Sequence, residues 1–139
     1  ESVAAGTIGG TFCGNPLACA SALEVISLME KEDYAGRARQ IGEKVTARYE
    51  SWKEKYPVVG DVRGMGAMIG LELVKDRETK EPNPALVSAV VQQCVQNGLI
   101  IENAGIYGNV IRFLAPLCIT DEQLEAGLDI LEAAINQCM

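Results

Sequence analysis

Apolar and aromatic side chains recur at spacings of three and four residues across residues 34–56, and this stripe most constrains the fold. The members are Tyr34, Ala38, Ile41, Val45, Tyr49, Trp52 and Tyr56. Such spacing places them on one face of an α-helix, which Asp33 can cap. Pro57 ends the helix because the residue before a proline is pushed out of the helical region. An aromatic stripe at helical spacing is typical of core packing, so this face is predicted to be buried.

The period changes to two between Met65 and Val74, which predicts a β-strand. Its apolar face consists of Ala67, Ile69, Leu71 and Leu73. The glycines within residues 60–66 predict a turn-rich entry to this strand. The charged, proline-bearing residues 75–83 predict a solvated surface loop.

Two further helices are marked by their caps. Residues 84–96 form a predicted helix, because Asn83 can cap its start and Asn97-Gly98 supplies a left-handed stop. Thr120 and Gln123 form a capping box for a final helix. Between these helices, short apolar runs predict two strands, at residues 99–101 and 110–114.

The predicted order of elements, counting a first helix over residues 17–29, is helix, helix, strand, helix, strand, strand, helix. This order fits an α/β (α+β) fold in which a small antiparallel sheet is covered by helices on one face. The chain has 139 residues, which is enough to bury such a core.

Composition excludes several classes of function. Nineteen acidic and twelve basic residues give a net charge of −7, which argues against nucleic acid or an acidic membrane surface as a partner. We find no secretory signal and no long uncharged apolar span, so a membrane protein is not expected. The chain has no histidine, which argues against a metal site and against Ser-His catalysis. Five scattered cysteines are expected to be reduced, as in the cytoplasm.

The glycine-rich stretch from Gly9 to Ala20 is the one chemical signature in the chain. Three glycines and Asn15-Pro16 surround the hydroxyl of Thr11, just before an alanine-rich helix over residues 17–29. Exposed backbone amides, one hydroxyl and a helix N-terminus suit an anion such as phosphate. Glycine-rich turns before helices are nevertheless common, and this one lacks the lysine of a P-loop. Spacing alone therefore leaves open whether this stretch binds an anion or is only a turn before a helix.

Arg112 is the second candidate site residue. Alternation along the strand at residues 110–114 places Ile111 on the core face and Arg112 on the opposite face. A guanidinium between apolar neighbours needs an anion, and its planar fork suits a carboxylate. Position alone leaves a structural ion pair and a substrate ligand equally open. For Arg63, near the start of the earlier strand, we favour a structural ion pair over an anion site.

Three segments together resemble one enzyme family. They are Gly9-Gly10-Thr11-Phe12-Cys13-Gly14-Asn15-Pro16-Leu17-Ala18-Cys19-Ala20, Gly60-Asp61-Val62-Arg63-Gly64-Met65-Gly66, and Asn109-Val110-Ile111-Arg112-Phe113-Leu114-Ala115-Pro116-Leu117. In this order they are similar to segments of class III pyridoxal-phosphate-dependent aminotransferases, above all those acting on 4-aminobutyrate. The resemblance covers essentially the whole chain.

This resemblance implies a fold-type I enzyme of which the chain is the C-terminal portion. Residues 1–29 would hold the end of the large domain, the phosphate loop and a bridging helix, and residues 30–139 the C-terminal small domain. Thr11, with Gly10, would bind the phosphate of pyridoxal 5'-phosphate in the neighbouring subunit of a homodimer or higher homo-oligomer. Arg112 would hold the substrate carboxylate. The implied reaction transfers the amino group of 4-aminobutyrate to 2-oxoglutarate.

The resemblance also implies that this chain contains no catalytic residue. The family's cofactor-binding lysine lies upstream of the glycine-rich loop, and none of the six lysines here is a credible substitute. We therefore expect the isolated chain to be inactive. The alternatives are another class III ω-amine aminotransferase, acting on ornithine, acetylornithine or diaminobutyrate, and a non-catalytic α/β binding or interaction module.

Overall fold

The structure is a computed structural model that describes Gly6 and residues 9–139. The chain divides into two compact units, Glu1–Ala35 and Gly36–Met139. The sequence places the domain boundary slightly earlier, after residue 29. Within that predicted first segment, residues 1–5, 7 and 8 lie outside the described residues.

The first unit contains helix α1, Pro16–Lys31. Asn15 caps it, and Pro16 occupies the first turn, where a missing N–H costs nothing. The predicted helix over residues 17–29 is confirmed. No residue of α1 is buried, and Leu17 and Leu23 remain 80% and 69% exposed. Within the part of the chain that the structure describes, the apolar surface of α1 is therefore uncovered.

The second unit is built on an antiparallel sheet. Its strands are β1 Val59–Met65, β2 Met68–Asp76, β3 Glu81–Pro82, β4 Glu102–Ala104 and β5 Val110–Phe113. The main sheet has the order β1-β2-β5-β4, and β3 pairs with β2. All pairs are antiparallel, so the predicted sheet type is confirmed.

Three predictions at the strand level were wrong. Residues 60–65 form most of β1 rather than a turn-rich entry, because their backbone pairs with β2, and only Gly66 lies in the turn that follows. The glycines there are needed for close packing: a Cβ on Gly64 would overlap the backbone of Met68. The loop predicted over residues 75–83 contains the short strand β3. The strand predicted at residues 99–101 lies instead at Glu102–Ala104, where the backbone meets β5.

Helices α2 Tyr34–Lys55, α3 Pro84–Gln96 and α4 Asp121–Cys138 supply the rest of the core. The predicted bounds of α3 and the capping box of α4 are both confirmed. The fully buried large side chains come from the helices and from one sheet face: Ile41, Val45, Tyr49, Trp52, Val59, Ile69, Leu71, Leu73, Ile111, Leu124, Leu131 and Ile135. The helices thus cover one face of the sheet and leave the other open, as predicted.

Among the described residues, no helix combines the length and the apolar character needed to cross a bilayer. No cluster of three or more potential metal ligands occurs there either. All five cysteines are free thiols.

Candidate functional site

The glycine-rich stretch forms a compact turn before α1. The amide of Cys13 donates to the carbonyl of Gly10 at 3.0 Å, and the amide of Asn15 donates to the carbonyl of Phe12 at 3.1 Å. Gly14 has a φ of 77°, a left-handed conformation that favours glycine. The turn leaves Thr11 on the surface, as the sequence predicts for a hydroxyl that meets a ligand.

The N-terminus of α1 has few free donors of its own. The side-chain oxygen of Asn15 accepts from the amides of Leu17 and Ala18 at 3.0 and 3.3 Å. Pro16 has no N–H, and the amide of Cys19 donates to the carbonyl of Asn15. The end of the helix can still contribute its partial positive charge. Direct hydrogen bonds to an anion must therefore come from the turn before it.

The turn before α1 contains backbone donors with no partner among the described residues. Among the described residues, no group accepts a hydrogen bond from the backbone amides of Gly10, Thr11 or Phe12. Three backbone donors therefore accompany the Thr11 hydroxyl. A Cβ on Gly10 would meet only Cys13 Sγ at an ordinary 3.5 Å, so packing within this unit does not require glycine there.

Arg112 lies on the open face of the sheet. Its neighbour Ile111 is fully buried against the helices, whereas the Arg112 side chain is 43% exposed. The predicted orientation of Arg112 is therefore confirmed. One terminal nitrogen, Nη2, donates to Glu102 Oε2 at 2.5 Å. Glu102 is the direct partner of Arg112 in the β4–β5 pairing.

Four residues form a row across this face of the sheet. The register pairs Arg63 with Gly70, Gly70 with Arg112, and Arg112 with Glu102. The row therefore carries two guanidinium groups, separated by a residue that has no side chain. Strands lie roughly 4.7–4.9 Å apart, so the backbones of Arg63 and Arg112 are about 10 Å from each other.

Arg63 is engaged in structural ion pairs. Its Nη1 lies 2.8 Å from Asp61 Oδ2 and 2.6 Å from Glu72 Oε2. Hydrogen bonds that Arg63 donates to Asp61 and Glu72 raise the pKa of Arg63, and the same guanidinium lowers the pKa of Asp61. The favoured structural reading of Arg63 is therefore confirmed, and Arg112 has one carboxylate partner where Arg63 has two.

A groove of about 450 Å³ runs beside Arg112, between the β4–β5 edge and α4. Glu102 and Arg112 line it together with apolar residues that include Ile100, Leu114 and Leu124. Ile100 and Leu114 are 88% and 57% exposed. A carboxylate held by Arg112 would thus have apolar surface next to it.

Sequence reasoning missed Glu102. Its strand was placed three residues too early, so the face on which Glu102 lies was not assigned. A usable signal exists, since an acidic residue shortly before a strand with a lone arginine is a natural cross-strand partner. Gly10 and Thr11 share one turn of the first unit. Arg112 belongs to the second unit and forms a separate candidate site.

The six lysines lie on or near the surface. Each is exposed or half-buried in this structure. Lys44, Lys53, Lys55 and Lys75 lie within 4.0 Å of carboxylates, in surface ion pairs with Asp121, Glu50, Glu132 and Glu81. None of these four side chains is buried.

Comparison with known proteins gives one consistent answer. The family model of class III aminotransferases matches residues 1–135. A probable 4-aminobutyrate aminotransferase of Bacillus subtilis is 44% identical over 136 residues, which are 98% of this chain and 31% of that protein. The 5-aminovalerate aminotransferase DavT of Pseudomonas putida is 45% identical over 132 residues, 95% of this chain and 31% of that protein. The chain thus spans about a third of the length of these relatives.

Solved structures agree with these relatives. An aminotransferase from Bacillus anthracis superposes with a TM-score of 0.85 at 36% identity, over 92% of this chain and 30% of the other. A PLP-bound amine transaminase from an uncultivated Pseudomonas species gives a TM-score of 0.84 at 35% identity, over 96% and 30%. From its fold, its motifs and these matches, the chain belongs to the class III aminotransferase family.

Proposed function

We propose that this chain is part of a pyridoxal-phosphate-dependent aminotransferase that transfers the amino group of 4-aminobutyrate to 2-oxoglutarate. The observation that carries the proposal is Arg112, whose guanidinium stands on an open sheet face and already holds a carboxylate at 2.5 Å. Membership of the family supports the reaction type. Relatives named 4-aminobutyrate aminotransferases, from Bacillus subtilis and Escherichia coli, support the donor.

Arg112 binds and orients the substrate in this proposal. Both 4-aminobutyrate and 2-oxoglutarate carry carboxylates, so one guanidinium can serve both halves of the reaction. A planar fork fixes a carboxylate in direction as well as in position, which holds the reacting end of the substrate in one place. The apolar lining beside Arg112 suits the methylene chain of such a substrate.

Thr11 and Gly10 hold the cofactor phosphate. The exposed hydroxyl of Thr11 and the free amides of its turn supply donors without a lysine or arginine. When bound, pyridoxal phosphate supplies the electron sink for the reaction. The residues of this chain position it. In a dimer the turn would serve the active site of the neighbouring subunit.

The activity would belong to a longer polypeptide than the residues described here. The chain covers 31% of its curated relatives, and its lysines are all on the surface or half-buried. The lysine that binds the cofactor would come from outside this chain, so we expect the chain alone to be inactive. Five free thiols and a net charge of −7 fit a reducing, aqueous compartment, which we propose is the cytoplasm.

A five-carbon ω-amino acid is the second candidate donor. Two relatives, from Pseudomonas putida and Pseudomonas aeruginosa, are named 5-aminovalerate aminotransferases and are 45% and 42% identical to this chain. The two donors differ by one methylene, which is worth about 1–3 kcal/mol in a shaped apolar pocket. Comparing kcat/KM for both donors decides between them.

Arg112→Lys in the full-length enzyme tests the role of Arg112. Lysine keeps the charge and loses the fork, so kcat/KM for 4-aminobutyrate and 2-oxoglutarate should fall by roughly ten- to a hundredfold. A simple alkylamine, which has no carboxylate, should lose much less. Arg63→Lys is the matched control from the same row of the sheet and should not discriminate between these substrates. Equal losses on all substrates together with a lowered Tm would make Arg112 a structural residue and overturn the proposal.

A further inference from the structure

We propose that Asn109 is a positioning residue that fixes where Arg112 emerges from the sheet. This inference rests on the proposed function of Arg112, which is to bind substrate carboxylates. It adds that the side-chain amide of Asn109, three residues earlier in the chain, holds β5 in register with β2. The register in turn places the guanidinium beside a part of the sheet that no β2 side chain covers.

The amide side chain of Asn109 is buried. Asn109 is 3% exposed, and among the residues that the structure describes it is the only buried one with an amide or charged side chain. Its Nδ2 donates to the carbonyl of Leu73 in β2 at 3.1 Å. A buried amide is costly without such a partner, so this contact ties Asn109 to one position on β2.

The contact extends the pairing of β5 with β2 beyond the end of the regular ladder. The last ladder partners there are Glu72 and Val110. Next to them, the amide of Leu73 donates to the carbonyl of Asn109 at 2.8 Å, and the Asn109 side chain returns a hydrogen bond to the carbonyl of Leu73. Asn109 Nδ2 thus takes the donor role that a backbone amide has in a ladder. Since β5 has only four residues, this pair is a substantial addition to its attachment.

The apolar pattern of β5 alone does not exclude a register shifted by two residues. Such a shift keeps every side chain on its own face of the sheet, because side chains alternate. A shift in one direction would put Ile111 in the place of Asn109 and break the bond to Leu73. The opposite shift would put the Asn109 amide in the fully buried position of Ile111. Asn109 therefore selects the observed register, as a single buried asparagine does in coiled coils.

The register decides what lies beside the Arg112 guanidinium. In the observed register Arg112 is the partner of Gly70 on β2, which has no side chain. A shift of two residues would move Arg112 by roughly 6–7 Å along the sheet. It would then lie opposite Glu72 or Met68, depending on the direction of the shift. Because Asn109 and Arg112 flank the same short run of residues, fixing one along β2 fixes the other.

Asn109→Leu in the full-length holoenzyme tests the inference. Leucine has a similar shape and suits a buried position, but it cannot donate to the Leu73 carbonyl. We expect kcat/KM for 4-aminobutyrate and 2-oxoglutarate to fall by about three- to thirtyfold, mainly through KM, because displacing a binding group is costly. Kinetics with an alkylamine and the affinity for pyridoxal phosphate should not change. Equal losses on all three substrates would make Asn109 a purely structural residue and overturn the inference.

Asn83→Ala is the matched control. Asn83 caps α3 through its side chain, while its backbone amide donates to the same Leu73 carbonyl at 3.2 Å and is kept in the variant. Loss of the cap should lower Tm and leave the ratio of kcat/KM values between carboxylates and the alkylamine as it is. A selective loss on carboxylates in Asn83→Ala would trace the effect to general destabilisation and contradict a specific role of Asn109. If leucine prevents folding, Asn109→Ser replaces it: the amide is removed, a small polar side chain remains, and the same selective loss is expected.

A background without Arg112 separates this inference from the function on which it rests. In Arg112→Gln, adding Asn109→Leu should cause no further selective loss on carboxylates, because the guanidinium that Asn109 positions is gone. A further loss of the same size would overturn the inference. If Arg112→Lys penalises carboxylates but neither variant of Asn109 does, the inference is wrong and the proposed function stands. If Arg112→Lys shows no preference for carboxylates, the proposed function fails and the inference fails with it.

Discussion

Gly42, in the middle of α2, packs directly against the carbonyl group of Gly66 at the tip of the β1–β2 hairpin. A Cβ built on Gly42 would overlap that carbonyl, and Gly42 is buried. Gly66 has a φ of 52°, which lets the hairpin turn back on itself at this point. The two glycines together allow the helix and the hairpin to approach at backbone distance.

Replacing Gly42 by Ala should destabilise the protein by roughly 1–3 kcal/mol, because the methyl group has rigid backbone to displace. Gly127→Ala is the control in another helix. Its Cβ would meet Leu99 Cδ1 at an ordinary 3.5 Å, and alanine is favoured over glycine in a helix by up to about 1 kcal/mol. Gly42→Ala should therefore lower the free energy of unfolding and Gly127→Ala should raise it, as measured by thermal and urea denaturation. Stabilisation by both substitutions would show that α2 and the hairpin are not in backbone contact.

Glu132 on α4 is the centre of an ion cluster that joins α4 to α2. Arg48 Nη2 and Lys55 Nζ each lie 2.9 Å from its carboxylate oxygens. Burial alone raises the pKa of Glu132, but hydrogen bonds from Lys55 and Arg48 outweigh it and lower the pKa to about 2. Its ordinary value is 4.5. A depressed folded-state pKa means that the ionised form stabilises the fold above pH 4.5, and that this contribution is lost as the pH falls towards 2.

Glu132→Gln should therefore lower Tm at pH 7 and have progressively less effect between pH 4.5 and 2, where the native carboxylate also becomes neutral. Glu50→Gln is the control, since Glu50 lies 3.9 Å from Lys53 in an exposed pair and should contribute little at any pH. Differential scanning calorimetry across this pH range measures both. A difference in Tm between wild type and Glu132→Gln that stayed constant down to pH 2 would contradict the assigned pKa.

Thr11→Ala in the full-length enzyme should weaken cofactor retention by about ten- to a hundredfold, the effect of losing one hydrogen bond to a charged group. Thr11→Ser keeps the hydroxyl and should retain most of the affinity. Thr11 is exposed in a turn, so Tm of the cofactor-free protein should not change. Equilibrium titration with pyridoxal phosphate measures the affinity. If the Thr11→Ala variant binds the cofactor as tightly as the wild-type enzyme, the turn has no phosphate-binding role.

Thr120 and Gln123 begin α4 with a complete capping box: the Gln123 amide donates to Thr120 Oγ1 at 3.2 Å, and the Thr120 amide donates to Gln123 Oε1 at 3.1 Å. Thr120→Ala should cost about 1 kcal/mol, because it leaves a helix-end donor without its partner. Thr120→Ser should be nearly neutral. Urea midpoints of the three proteins give the comparison. If Thr120→Ser destabilised the protein as much as Thr120→Ala, the effect would come from the lost methyl group instead.

Local signals predicted the helices well. The stripe from Ile41 to Tyr56 is buried as its spacing predicts, and α3 begins and ends at its predicted residues because Asn83 caps it and Gly98 turns left-handed at φ 85°. The prediction failed at β1, where glycines suggested a turn. Gly60 and Gly64 lie in a strand that pairs with β2, and glycine is required at both positions because the Val74 side chain and the Met68 backbone leave no room for a Cβ. Such a contact depends on the pairing of β1 with β2 and has no signature within β1 itself.

The sequence by itself determined the family, the helices and the face on which Arg112 lies, because period, caps and strand alternation act over a few neighbouring residues. Tertiary structure decided the partner of each charge. Glu102 meets Arg112 because of where β4 stops and pairs, and Glu132 meets Arg48 because α2 and α4 lie side by side. These partners are ten and 84 residues apart. Electrostatic pairing acts through space over a few ångströms, so only the register of the sheet and the packing of the helices could select them.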